Sequence, residues 1–154
     1  MYQWLVFVHI LGLVIFALCH GVSLFVAFRV RRVADPAVAA GYLQLSQSAN
    51  QAMYLGLLLL AIGGIGAAST NDLWGRTWVQ ASVVVLIVVI VLMYVVGAAY
   101  YYRLRDALGG KDGAPIPSGA ELTQRLSTRR PELLAVIGGV GLLVLIWLMV
   151  LKPA

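Results

Sequence analysis

The chain has 154 residues, of which 62% are hydrophobic and only 11% are charged. Soluble domains carry about 25% charged residues, so this composition excludes an ordinary soluble protein. The net charge of +5 does not call for a nucleic-acid partner, because the basic residues lie beside apolar segments, where they fit membrane topology and anionic lipid headgroups. The single cysteine, Cys19, excludes an intramolecular disulfide.

Four apolar segments are long enough to cross a bilayer, which takes about 20 helical residues. They cover residues 4–28, 49–68, 78–101 and 133–151, and none of them contains a charged residue. The sequence therefore predicts an all-α polytopic membrane protein, a bundle of four transmembrane helices in a single domain over residues 1–154.

Two local signals predict helix starts between these spans. Asp35-Pro36 combines an N-cap residue with proline at the first helical position, so the second helix is expected to begin near Pro36. Ser118 and Glu121 have the spacing of a capping box. Residues 103–131 are accordingly predicted to form a cytoplasmic loop that contains a short surface helix.

The basic residues predict the orientation of the spans. Nine of them fall on one side of the predicted topology: Arg29, Arg31, Arg32, Arg103, Arg105, Lys111, Arg125, Arg129 and Arg130. Arg76 and Lys152 fall on the other. Because cytoplasmic loops carry the excess of Lys and Arg, both termini are predicted outside, in a bacterial inner membrane.

Both histidines of the chain, His9 and His20, lie in the first span. Their spacing of eleven residues returns almost to the same helix face, about 16 Å further along. Gly12 and Phe16 lie between them on that face, and Gly12 leaves room beside the helix. Ionisable groups at membrane depth usually face a bundle interior, a partner or a cofactor.

A metal centre is one interpretation of this face. Imidazole is a ligand for haem iron and for copper, and Cu(I) also accepts soft sulfur ligands. Two histidines on one face of a helix cannot coordinate a single haem from opposite sides. A second ligand would therefore come from Met53, Met93 or another subunit, as in a homodimer. Met53 on the second helix is also the candidate sulfur ligand for copper.

Packing alone is the other interpretation. A neutral imidazole can donate to a carbonyl or to a polar side chain of a neighbouring helix. His20 is expected near Ser46, Ser48, Asn50 and Gln51, whereas His9 has fewer evident partners. No carboxylate lies within a span and no nucleophile–base pair stands out, so an independent catalytic activity is not expected.

Three short motifs carry a resemblance to a known family. They are His9-Ile10-Leu11-Gly12, His20-Gly21-Val22-Ser23 and the exit Ala27-Phe28-Arg29-Val30-Arg31-Arg32. These motifs resemble a family of small bacterial four-helix integral membrane proteins that is distantly similar to copper-resistance-D-like proteins. The resemblance implies an inner-membrane location and a copper or haem connection through His9 and His20.

The sequence therefore predicts an inner-membrane protein that binds a metal centre on its first helix, with haem b ranked ahead of copper. Its role would be electron transfer or cofactor holding, in a homo-oligomer or with other membrane subunits. The alternative is a cofactor-free accessory or scaffold subunit of a larger membrane complex.

Overall fold

The computed structural model describes residues 1–108, 117 and 119–153. Its elements are α1 (Tyr2–Val30), α2 (Pro36–Thr70), α3 (Thr77–Met93), a π-helical turn (Tyr94–Ala98), α4 (Ala99–Leu108), α5 (Gly119–Leu126) and α6 (Arg130–Leu151). The described residues contain no strand, and four helical segments are long and apolar enough to cross a membrane. The predicted all-α class and the four spanning helices are confirmed.

The helices are longer than the apolar segments. The side chain of Asp35 accepts a hydrogen bond from the backbone N–H of Ala37 at 2.8 Å, and Pro36 begins α2 as predicted. The third span continues through the π-helical turn into α4, so the first residues of the predicted 103–131 loop are helical. Ser118 and residues 109–116 of that loop lie outside the described residues.

The bundle consists of two tightly packed helix pairs, α1 with α2 and α3 with α6. Glycines bring the backbones of the first pair together. A Cβ added to Gly12 would stand 2.3 Å from the backbone nitrogen of Leu60, and one added to Gly63 would stand 2.5 Å from the backbone nitrogen of His9. Small residues are enriched at membrane helix interfaces because they allow this close approach.

One end of the bundle, which carries the arginine-rich segments, joins the two pairs. A cluster of buried apolar residues fills this end: Val30, Ala39, Leu43, Leu104, Leu108, Leu122 and Leu126. The short helix α5 contributes two of them, Leu122 at 0% and Leu126 at 2% exposure. Arg31 also pairs with Glu132 across the pairs at 2.5 Å. The pairs are therefore held together here, while a gap remains between them deeper in the bundle.

The π-helical turn interrupts the third span beside that gap. The carbonyl of Val96 in this turn accepts a hydrogen bond from the Arg130 guanidinium at 2.5 Å, and the same guanidinium lies 4.8 Å from the ring centroid of Tyr100. Single π turns within α-helices occur frequently at functional sites. Nothing in the sequence analysis predicted this feature.

Candidate functional site

The gap between the helix pairs forms an intramembrane cavity of about 250 Å³. Every membrane helix contributes to its lining, which is predominantly apolar. The polar side chains that face it include His20 and Ser23 from α1 and Ser46 and Asn50 from α2. An apolar pocket with a few convergent polar groups is the usual form of a ligand site.

His20 is the most unusual side chain of this cavity. Its ring stacks against Phe16, with ring centroids 6.1 Å apart and planes 12° apart. Its Nε2 atom is buried and is without a hydrogen-bond partner among the described residues. A buried polar atom left unpaired costs about 1–3 kcal/mol, so it calls for a physical explanation.

Gly138 lies at this nitrogen, and the end of the Met93 side chain also lies at Gly138. A Cβ on Gly138 would stand 2.6 Å from Nε2 of His20 and 2.8 Å from Cε of Met93. The imidazole and the end of the Met93 side chain therefore both contact α6 at Gly138. Any residue with a Cβ would clash with them at this position. Met53 lines the same cavity from α2. The cavity thus combines one imidazole with two thioethers.

The described residues contain no group of three or more His, Cys, Asp and Glu side chains with metal-binding proximity. The cavity lining includes the thioethers of Met93 and Met53 together with the imidazole of His20. Thioether and imidazole are both ligands that suit Cu(I).

His9 lies in a different environment. Its Nδ1 is 2.7 Å from the carbonyl oxygen of Leu60 on α2, a distance at which the imidazole N–H donates a hydrogen bond. Its ring lies over Gly64, with Cε1 3.0 Å from the position of a Cβ on that glycine. His9 is not among the residues that line the cavity.

The structure therefore separates the two imidazoles that share one face of α1: His9 contacts α2, and His20 lines the cavity. From Leu5 to Phe16 the backbone of α1 lies against α2, and the His9 ring contacts Gly64 of α2. Phe16 and His20 follow on the same stripe, but they face the cavity between the pairs. Helical spacing places these residues on one stripe of α1. The contacts that each residue makes depend on which helix packs against that part of the stripe.

The hydrogen bonding of the two histidines is also the reverse of what the sequence predicts, which was polar partners for His20 and fewer for His9. Asn50, an expected partner for His20, accepts a hydrogen bond from the hydroxyl of Ser23 at 2.9 Å. The hydroxyl of Ser48 donates to the carbonyl of Gln44 at 3.3 Å. His9 is the histidine whose ring nitrogen has a hydrogen-bond partner. That partner is a backbone carbonyl, which cannot be inferred from the types of the neighbouring side chains.

Gly138 is the site residue whose role the sequence analysis missed. The run Gly138, Gly139 and Gly141 indicates close helix approach, but it does not show which glycine faces His20. In the structure, a Cβ on Gly139 would meet nothing within 4 Å.

Comparison with known protein families shows a match over nearly the whole chain. The family model described as "Predicted integral membrane protein (DUF2269)" matches residues 3–153 of the chain. No curated protein and no solved structure matches. The expected integral membrane family is thereby confirmed, while the similarity to copper-resistance-D-like proteins and the bacterial origin stay predictions.

Proposed function

We propose that this chain, which belongs to the DUF2269 family of predicted integral membrane proteins, holds a metal centre inside the membrane at His20. Its role would be cofactor holding or electron transfer. The observation that carries the proposal is the buried Nε2 of His20, which lies in an apolar cavity and has no hydrogen-bond partner in the part of the chain that the structure describes. Coordination of a metal would satisfy the lone pair of a neutral imidazole at this atom.

Haem b is the first candidate from the sequence, and imidazole is a common axial ligand of haem iron. The apolar lining and the stacked Phe16 ring suit a porphyrin. The volume of about 250 Å³ falls below the roughly 300–1,000 Å³ of sites that enclose drug-sized ligands. Haem b would fit only if α1 and α6 moved apart at Gly138, because the α6 backbone lies directly at Nε2.

Copper(I) is the smaller candidate. A single ion occupies little volume, and the cavity already combines His20 with Met93 and Met53. Soft thioether sulfur favours Cu(I) over harder cations. The dimensions and ligand types of the cavity therefore support copper(I) more directly than haem b, although the sequence alone ranked haem first.

We also propose that the protein acts in a bacterial inner membrane with both termini outside. The support is the concentration of arginines at the α4–α5 end of the bundle. A homo-oligomer or another membrane subunit would contact the outward helix faces, where large apolar side chains such as Trp4, Leu18 and Leu143 are exposed. The same faces are suited to lipid.

The test compares the two histidines of α1 in matched variants. The protein is expressed with copper and haem supplied, purified in detergent, and analysed for bound Cu and Fe and by a reduced-minus-oxidised absorbance spectrum. We expect His20→Ala to lose the bound metal and His9→Ala to retain it. Met93→Leu is expected to lower copper retention because it removes the thioether beside Nε2.

The outcomes separate the candidates. Copper that disappears in His20→Ala supports the copper centre, and haem b absorbance that disappears in this variant supports haem. A wild-type protein without either metal, or equal metal content in His20→Ala and wild type, would refute the proposal.

The second candidate function is a cofactor-free accessory or scaffold subunit. The specific observation that favours it is the glycine-mediated contact of α1 with α2, in which the His9 ring packs on Gly64 and bonds to the Leu60 carbonyl. This function predicts metal-free protein in which both histidine variants change only stability or assembly.

A further inference from the structure

A second recess lies at the opposite end of the bundle from the arginine-rich segments, which we term the outer end. It has a volume of about 620 Å³ and is formed by the start of α1, the α2–α3 turn and the end of α6. Its lining includes Tyr2, Asn71, Arg76, Trp78 and Lys152. Both helix pairs therefore contribute side chains to it.

Among the described residues, the charged side chains that line this recess are both positive. Arg76 and Lys152 are the two basic residues of the outer end, and both line the recess. Asp72, on the same turn as Arg76, is not part of the lining. Like charges in one recess repel each other, so an anion bound between them would be stabilised by both.

Lys152 is held at the edge of this recess by its backbone and by an aromatic ring. Its φ of 46° lies in the left-handed region, which is uncommon for a residue other than glycine. Its Nζ lies 5.6 Å from the ring centroid of Trp78, a cation–π distance. The ammonium group is thus directed over the recess while Arg76 remains exposed beside it.

The aromatic residues indicate the depth of the recess in a bilayer. Tyr2 and Trp78 line it, and Tyr and Trp are enriched at the level of the lipid headgroups. An anion present at this depth in every bacterial membrane bilayer is a lipid phosphate. Guanidinium and ammonium groups both bind phosphate, the first as a planar fork and the second as a point charge.

We propose that the outer recess binds the phosphate of an anionic lipid headgroup between Arg76 and Lys152. A bound headgroup would connect the outer ends of the two helix pairs, since Tyr2 belongs to one pair and Trp78 and Lys152 belong to the other. The buried apolar cluster connects the pairs only at the opposite end. This site is independent of any metal at His20.

The test measures lipid binding to the purified full chain by native mass spectrometry. Phosphatidylglycerol is titrated against the zwitterionic phosphatidylcholine, and inorganic phosphate is titrated in a separate thermal-stability series. The double variant Arg76→Gln/Lys152→Gln is expected to bind phosphatidylglycerol about 25-fold more weakly, roughly fivefold per charge removed. The matched control Arg32→Gln/Arg129→Gln removes two exposed cations at the opposite end.

Preferential binding of phosphatidylglycerol that is lost in the Arg76/Lys152 variant and kept in the control supports the proposal. Stabilisation by inorganic phosphate without a preference for phosphatidylglycerol would identify a free anion as the occupant and overturn the lipid assignment. Equal affinity of wild type and the Arg76/Lys152 variant for phosphatidylglycerol would overturn the site itself. Circular dichroism verifies that both double variants keep the helical content of wild type.

Discussion

Gly12 is the position where a single methyl group tests the packing of α1 on α2. A Cβ there would stand 2.3 Å from the nitrogen of Leu60 and 2.6 Å from the carbonyl oxygen of Gly56. Favourable contacts between heavy atoms lie at about 3.5–4.0 Å, so the helices must separate by about 1 Å. Both clashing atoms are backbone, and no side-chain rotation can relieve the contact. Overpacking of this kind costs about 1–3 kcal/mol.

The same displacement acts on His9. Its hydrogen bond to Leu60, 2.7 Å long, spans the interface that Gly12→Ala opens. Loss of one such bond costs about 0.5–1.5 kcal/mol. We therefore expect the destabilisation by Gly12→Ala to lie toward the upper end of the packing estimate.

Gly21→Ala is the matched control on the same helix. A Cβ at Gly21 meets nothing within 4 Å, so only helix propensity changes. This control is expected to leave the free energy of unfolding unchanged or to raise it by up to about 1 kcal/mol.

The assay is unfolding in mixed micelles of increasing denaturing-detergent content, followed by far-ultraviolet circular dichroism. The structure predicts a lower unfolding midpoint for Gly12→Ala than for wild type, and an equal or higher one for Gly21→Ala. Equal midpoints for the two variants would refute the backbone contact between α1 and α2 as described.

Two further predictions concern the cavity and the buried apolar cluster. Gly138→Ala places a methyl group 2.6 Å from Nε2 of His20 and is expected to reduce the amount of bound metal. Gly139→Ala, where the added methyl group has open space, is expected to keep it. If metal analysis finds wild-type content in both variants, Nε2 is excluded as the ligand. Leu122→Ala removes a side chain with 0% exposure and is expected to cost about 2–5 kcal/mol. Leu45→Ala, at a position 51% exposed, should change the free energy of unfolding by less than about 0.5 kcal/mol, and equal unfolding midpoints would contradict the role of the cluster.

The spanning helices were predictable because the bilayer imposes a local requirement. About 20 successive apolar residues are needed to cross it in helical form, and each segment meets this requirement without reference to its neighbours. The start of α2 was predictable for a similar reason, since Asp35 caps the helix through an N–H only two residues away.

The histidine site was predictable only in part. The sequence singled out His20, Phe16 and Met53, and all three line the cavity. It also grouped His9 with them, because eleven residues return to the same stripe of an α-helix. In the structure His9 contacts α2 and does not line the cavity, because a stripe can contact different helices along its length. Its role as a ligand stays a prediction.

The amino-acid sequence by itself determined that the chain forms apolar helices, how many of them can cross a membrane, and which two imidazoles lie within them. These properties depend on composition and on spacing along one helix. Only the tertiary structure decided that His9 bonds to the carbonyl of Leu60 and that Nε2 of His20 faces Gly138, with no hydrogen-bond partner across residues 1–108 and 119–153. Both outcomes depend on backbone atoms and glycines of distant segments, which come into contact through helix packing and leave no local pattern in the chain.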